Sequence, residues 1–276
     1  MTPDLLLLRA LDEDAGRPLI AYYDDATGER TELSVATFAN WVAKTANLLV
    51  DGLAAEPGQR AGLCLPVHWQ SAVWHFACWA AGLVVVTGPS SGGGPAGPLD
   101  VVVVPMDAAD AEEAGPAAAP GAAAVAAAAD VVGLGLGSMG LPRADLEVPP
   151  HVTLDYDREI SSYGDRFAPR PGADVGLVAV VSDGVRLSAG DLGALVLARV
   201  PRDGLEKGAR VLTDRPLDGV DDILFALLGP LANGGGTVLC RRLDPSRLPE
   251  RMAVEHVVAA RAGHVTEPSA GADDLD

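Results

Sequence analysis

Positive charge is scarce in this chain. Its 276 residues carry 20 basic against 38 acidic side chains, a net charge of -18, and Lys44 and Lys207 are the only lysines. Such a surface repels phosphate backbones and anionic lipid, so neither nucleic acid nor a membrane surface is an expected partner. Cysteine is equally sparse. Cys64, Cys78 and Cys240 are odd in number and far apart, without a C-x-x-C spacing. They read as reduced core residues, not as a disulfide framework or a zinc site. Long apolar runs are missing too. The four leucines of MTPDLLLLRALDED sit between acids, unlike a secretory leader, and the alanine-rich run from Ala117 to Ala129 is broken by Pro120 and Gly121. The expected location is the cytoplasm.

What is present is core-forming residue, 49% of the chain, in a regular order. Leu33, Phe38, Trp41, Val42, Leu48 and Leu49 recur at helical spacing and predict a helix from Glu32 to Leu53, stopped near Gly52. RAGLCLP, LVVV, DVVVVP and DVVGLGL read as buried strands, with a helix over VHWQSAVWHFACWAAG and a Gly/Pro/Ser loop over Thr87 to Leu99. Residues 137 to 170 look irregular, with one short helix near DREISSYG. Alternation then resumes: a strand to Val181, a helix from Ser188, a strand at ARVLTD, a helix from Asp218 to Leu231, a strand at GTVLCRR and a helix from Pro245 to about Ala262. Strands apolar on both faces that alternate with helices imply an α/β fold, three-layer, with mostly parallel sheets flanked by helices. One domain is expected over 1–264, with sub-lobes 1–136 and 171–264 joined by the irregular 137–170, and a disordered acidic tail over 265–276.

The candidates for chemistry each have a structural explanation. Gly135, Gly137 and Gly140 spell a G-x-G-x-x-G after a strand, with Asp155 downstream, as a dinucleotide site requires. Pro142, Pro149 and Pro150 leave no room for the helix whose N-terminus would hold the pyrophosphate, so a post-strand loop is favoured. His68 and His75 lie seven apart on one helix, wider than a metal pair needs, and read as structural. Trp69, Trp74 and Trp79 on the same helix read as core. The pairs Asp24-Asp25, Asp221-Asp222 and Asp155 with Asp157 resemble acid–base dyads but fall where carboxylates cap free N–H groups. Ser182 has no identifiable base, and Gly234 to Gly236 form a helix stop.

The block TELSVATFANWVAKTANLLVDGLAAEPGQRAGLCLPVHWQSAVWHFACWAAGLVVV, residues 31–86, resembles the opening of the adenylate-forming superfamily of AMP-binding acyl-CoA synthetases, adenylation domains and luciferases. GARVLTDRPLDGVDDILFALLGPLANGGGTVLCRRLDPSRLPERMAVEHV resembles a later segment of the same proteins, and the whole chain is similar to an actinobacterial group of AMP-binding-like proteins. Between the two blocks that family carries a loop of the form T-S-G-T-T-G-x-P-K-G. This chain has VSDGVR, Val181 to Arg186, with one glycine and no lysine where a phosphate cradle needs several backbone N–H groups. At the family's aromatic-or-histidine position it reads Pro216-Leu217-Asp218-Gly219, and it stops before the Y-G-x-T-E motif, the ribose-binding aspartate, the hinge and the C-terminal lysine.

The resemblance therefore implies a degenerate, N-terminal part of an adenylate-forming enzyme, noncatalytic, acting as a binding or interaction module. No catalytic, cofactor-holding or metal-ligating residue is assigned, and no cofactor is expected. A small acyl or aromatic ligand near helix 68–81, or a protein partner, is the expected occupant. The alternatives are a ligase-like enzyme completed by a partner chain and a dinucleotide-binding oxidoreductase. The latter predicts a helix directly after Gly140.

Overall fold

The computed structural model describes residues 1–87, 98–114, 122–168, 176–182, 184–202 and 205–263. The chain opens with helix α1 (Pro3–Asp14), an element beyond those the sequence predicts. Proline at its first turn needs no N–H partner there, and Leu6, Leu7 and Ala10 recur at the spacing that buries one face. Strands β1 (Pro18–Asp24) and β2 (Glu29–Ser34) form an antiparallel pair. The expected helix from Glu32 therefore starts later, as α2 (Val35–Asn47). Glu32 to Ser34 belong to the β-ladder, and Ser34 caps the helix by accepting from the Thr37 amide at 3.1 Å. One π turn (Leu48–Gly52) closes it.

Strand β3 (Arg60–Leu63), helix α3 (Trp69–Ala81), β4 (Val84–Thr87) and β5 (Val101–Pro105) follow as the apolar runs predict. Short helices α4 (Ala108–Glu113) and α5 (Ala122–Ala127) lead to β6 (Asp130–Leu134). The irregular part holds a two-residue strand β7 (Leu154–Asp155) and α6 (Tyr156–Glu159), close to the helix expected near DREISSYG. Then come β8 (Val178–Ser182), β9 (Val185–Ser188), α7 (Ala189–Arg202) and β10 (Arg210–Thr213). Helix α8 runs from Val220–Ile223 through a π turn (Leu224–Leu228) to Gly229–Ala232. Strand β11 (Gly236–Arg241), helix α9 (Leu248–Val254) and β12 (Val257–Arg261) complete the described fold. The helix expected to reach Ala262 ends at Val254 because V-V-A-A is claimed by the sheet, pairing in parallel with β10. The expected loop tip over residues 88–97 and the acidic tail lie outside the described residues.

The strands divide into a five-stranded sheet, β12-β10-β11-β1-β2, and a seven-stranded sheet, β7-β6-β5-β3-β4-β8-β9. Both are parallel except for β2 and β9, each an antiparallel edge. Period-two burial shows how they pack. Ile20, Tyr22, Val211 and Leu239 of the first sheet and Ala61, Val101, Val103 and Val132 of the second share one central core with α2 and α3. Their neighbours face outward, Ala21, Leu212 and Cys240 under α9 and Val102, Val104 and Val131 under α5. Helix α3 lies in the middle, with twelve of its thirteen residues buried, and ends where Gly82 turns left-handed at φ 79°.

Charge crosses this fold where the two sheets meet. Arg241, at the end of β11, donates to Asp110 of α4 at 2.5 Å and to Glu113 at 2.6 Å, and both Arg241 and Asp110 are buried. Arg242 bonds Asp24 at 2.9 Å, and Arg251 reaches Asp25 at 2.6 Å while stacking over Tyr23 at 4.3 Å. Asp24 also accepts from the Ala26 amide at 3.0 Å and Asp25 from the Asp244 amide at 2.7 Å, so both cap free N–H groups as the sequence suggests and carry ion pairs besides. Removing one partner of a buried pair leaves the other charge uncompensated. Arg241→Ala should therefore lower unfolding free energy in urea by about 3–5 kcal/mol. Arg9→Ala, which breaks the exposed Arg9–Glu13 pair, should cost under about 1 kcal/mol. Equal effects would show that Arg241 carries no special weight.

Candidate functional site

In α/β sheets ligands collect outside the carboxyl ends of the parallel strands. Here that edge is formed by the ends of β8 and β10 on one side and of β1, β5, β6 and β11 on the other. At the end of β8 the chain makes a tight reversal. Ser182 pairs with Val185 and Val181 with Arg186, leaving two residues between the strands, of which Gly184 is left-handed at φ 79°. The VSDGVR segment is therefore a β-hairpin, with Val181, Ser182, Val185 and Arg186 paired in the antiparallel ladder of β8 with β9. Asp183 lies outside the described residues. Ser182 is buried, and its hydroxyl points to the Asp218 carbonyl at 3.5 Å, which joins the hairpin to the Pro216–Gly219 segment. Leu217 is buried beside it.

The glycine motif after β6 serves packing. A Cβ at Gly135 would lie 2.7 Å from Asp157 Oδ2, and one at Gly140, left-handed at φ 68°, would lie 2.7 Å from the Trp41 ring. Beyond Gly140 the chain is irregular, with turns and no helix before Tyr156. The dinucleotide reading is overturned, since the helix it requires directly after Gly140 is not there. Asp155 instead caps α6, accepting from the Arg158 amide at 3.3 Å, as its capping role predicted. Gly234 is left-handed at φ 74° just past α8, the helix stop read from the triple glycine. Asp221 and Asp222 fall in the first turn of α8, where Asp221 pairs with Arg199 and, at 2.7 Å, with Arg261.

His68 and His75 do not converge. His68 caps α3, its Nδ1 accepting from the Gln70 amide at 3.2 Å, and its ring meets Tyr22 edge-on at 4.5 Å. Nδ1 of His75 meets the Ser71 carbonyl at 2.8 Å. Burial pushes the first down to about 3 and the second to about 4, so both imidazoles are neutral. Trp69 stacks edge-on with Trp41 at 5.0 Å, Trp74 tilts against Tyr156 at 5.3 Å, and the Trp79 indole donates to the Ala179 carbonyl at 3.2 Å. They are core residues. Asp157 is the perturbed acid of the region. Its buried carboxylate accepts from the Gly135 amide at 2.7 Å, and burial raises it to about 6.

The opening at this edge is a cleft of about 510 Å³ between the β1–β2 turn and the segment after β6. Arg143, Arg241 and Arg242 face it together with Asp24, Asp107 and Asp110. Each guanidinium is engaged by a carboxylate, with Arg143 held by Asp145 at 2.8 Å and by Asp107 at 3.3 Å. Two of its lining residues, Leu136 and Arg242, have left-handed backbones at φ 50° and 47°. Strained backbone of this kind persists only where surrounding contacts enforce it. Sequence reasoning missed the cleft; the one available signal was the Arg241-Arg242 doublet ending an otherwise apolar strand. Among the described residues no group of three or more His, Cys, Asp or Glu is arranged to hold a metal, and no helix is long and apolar enough to cross a membrane.

Comparison with known proteins places this geometry. The chain is 38% identical over 254 residues to a TIGR03089 family protein of Mycobacterium tuberculosis, covering 91% of this chain and 93% of that one. No family model matches. Among solved structures it superposes on an acyl-CoA synthetase of Brucella canis with a TM-score of 0.71 at 15% identity, over 95% of this chain and 47% of that one. The ATP-bound RpMatB-BxBclM chimera B3 gives 0.62 at 16% identity, over 92% and 48%. The chain thus has the α/β fold of acyl-CoA synthetases and spans about half the length of those two solved chains, consistent with their N-terminal part.

The Asp157 carboxyl titrates near 3.8 when solvated and about 6 in the folded chain. The folded state holds the proton more tightly, so stability is greatest at low pH and falls as pH rises between those two values. Asp157→Asn keeps an acceptor for Gly135 and removes the charge. It should match the parent below about pH 4 and exceed it by roughly 1–3 kcal/mol above about pH 6.5. Thermal melts across that range check this, and a difference independent of pH would contradict it.

Proposed function

The chain belongs to the TIGR03089 family, and from that premise we propose that it is a noncatalytic relative of adenylate-forming enzymes, a binding or interaction module on an acyl-CoA synthetase fold. One observation carries the reading: the β8–β9 hairpin, in which Ser182 pairs with Val185 where a phosphate-gripping loop would need free amides. A phosphoryl group develops charge during transfer, and losing even one preorganised donor costs on the order of 3 kcal/mol. The cleft supports the same reading, because its guanidinium groups are already paired with carboxylates and the chain as a whole carries a charge of -18. A polyanion gains little there. The protein works without a bound nucleotide, in the cytoplasm, through a small acyl or aromatic ligand or a protein partner.

The partial span of the solved synthetases favours a second reading, in which another polypeptide supplies the remaining half and restores ligase chemistry. Calorimetric and thermal-shift titration with ATP-Mg, AMP, carboxylates and acyl-CoAs separates the two. The expected result is nucleotide binding weaker than about 1 mM, with or without a response to acyl compounds. ATP-Mg binding near 1 μM or tighter would overturn the noncatalytic reading.

A further inference from the structure

A second concavity lies away from the carboxyl edge. Helix α1 ends beside the start of β1, where the Arg17 amide bonds the Asp14 carbonyl at 3.3 Å, and α2 begins beside the same end. Between them, over the second half of α3, runs a groove of about 420 Å³. Phe76 and Val42 form its floor, and Leu8, Leu11, Ala39 and Phe167 its walls. Small residues at Ala36, Ala39 and Ala43 keep α2 from filling it.

The far wall is built rather than loose. Lys44, one of only two lysines, donates from Nζ to the Tyr163 carbonyl at 2.7 Å, and Asn47 donates to Gly164 and Arg166 carbonyls at 2.8 and 2.9 Å. These bonds fasten residues 163–167 to α2 and hold Phe167 over the groove. The apolar surface also continues outside it. Met1, just before α1, and Leu5 and Leu8 on it are 41, 48 and 49% exposed, a stripe that a ligand enclosed in the groove would leave uncovered.

Acids outnumber bases on this face. Asp4 and Asp165 stand at the rim against Arg166, and α1 adds Asp12, Glu13 and Asp14 against Arg9 alone. Two helix walls over a third helix, an apolar floor and a rim with more acids than bases match the mode in which an amphipathic helix lies in a groove. Helix α1, with twelve residues, offers a wall about 18 Å long, enough for three turns of a bound helix.

We propose that the α1–α2 groove is the docking site for an amphipathic helix of a partner protein, apolar on the face that enters the groove and basic on its flanks. The site stands whether or not the carboxyl edge binds nucleotide, so it goes beyond the noncatalytic reading and can fail separately from it.

The test uses the full chain and a synthetic, fluorescently labelled helix of about 16 residues, with leucine at the groove-facing positions and lysine on the flanks. Anisotropy should report a Kd on the order of micromolar that weakens with added salt. Leu8→Glu, at an exposed position, and Ala39→Trp, which fills the groove, should each weaken binding by about tenfold or more at unchanged thermal stability. A probe with glutamate for lysine should not bind. Equal affinity for the parent and Leu8→Glu, or no binding at about 100 μM, would overturn the proposal. So would decanoate or decylamine binding in the groove while the helix does not, which would indicate a small amphiphile. Self-association of the chain that Leu8→Glu abolishes would assign the face to a second copy and overturn it too.

Discussion

The buried guanidinium of Arg241 holds the carboxyl edge together. It leaves the end of β11 in one sheet and meets Asp110 and Glu113 on α4, the helix that follows β5 of the other. The two sheets already share a hydrophobic core, which is non-directional and fixes how close they lie more than how they are aligned. A buried ion pair has the opposite character. Its net contribution to stability is small against its desolvation cost, yet any arrangement that separates the charges is strongly disfavoured. Arg242 with Asp24, Arg251 with Asp25 and Arg143 with Asp107 repeat the device around the same rim. In this account the left-handed backbones at Leu136 and Arg242 persist because these contacts hold them.

That constraint also decides what the edge can do. Where an α/β protein normally leaves amides and cations free for a ligand, this one engages its guanidinium groups internally and folds the turn after β8 into a hairpin. Gly184 permits the reversal, Ser182 bonds toward the Asp218 carbonyl, and the glycines after β6 press against Asp157 and Trp41. Each feature that could be drawn as a ligand cradle from sequence is used by the protein to close on itself. The open, apolar groove lies at the other end of the helical layer, along α1 and α2.

Much of this was legible in the residues. Both-faced apolar strands such as VVVV after Asp100 and the alternation with helices led directly to mostly parallel sheets, and Gly82 and Gly234 marked helix ends that the backbone confirms. The errors arose where tertiary pairing overrides local preference. Glu32 to Ser34 carries helix-compatible residues but follows β1 into a ladder, and Val257 to Arg261 is drawn into the sheet by β10. Helix α1 is hard to read locally because its four consecutive leucines look as much like the start of a leader as like one buried helix face. Asp24 and Asp25 do cap amides, those of Ala26 and Asp244, but their ion pairs are not visible locally, since the partners Arg242 and Arg251 lie more than 200 residues away. The hairpin was half visible: the missing lysine and glycines of VSDGVR argued against a phosphate loop, while strand β9 was not foreseen.

Under the proposed function, the shared fold persists here without the chemistry of adenylation. ATP–pyrophosphate exchange measures that chemistry alone, because forming an acyl adenylate from a carboxylate and ATP releases pyrophosphate, and the reverse reaction returns labelled pyrophosphate into ATP. With the purified chain, magnesium and a panel of aliphatic and aromatic carboxylates, the account predicts no exchange above the protein-free control. Carboxylate-dependent exchange by the purified chain would contradict it.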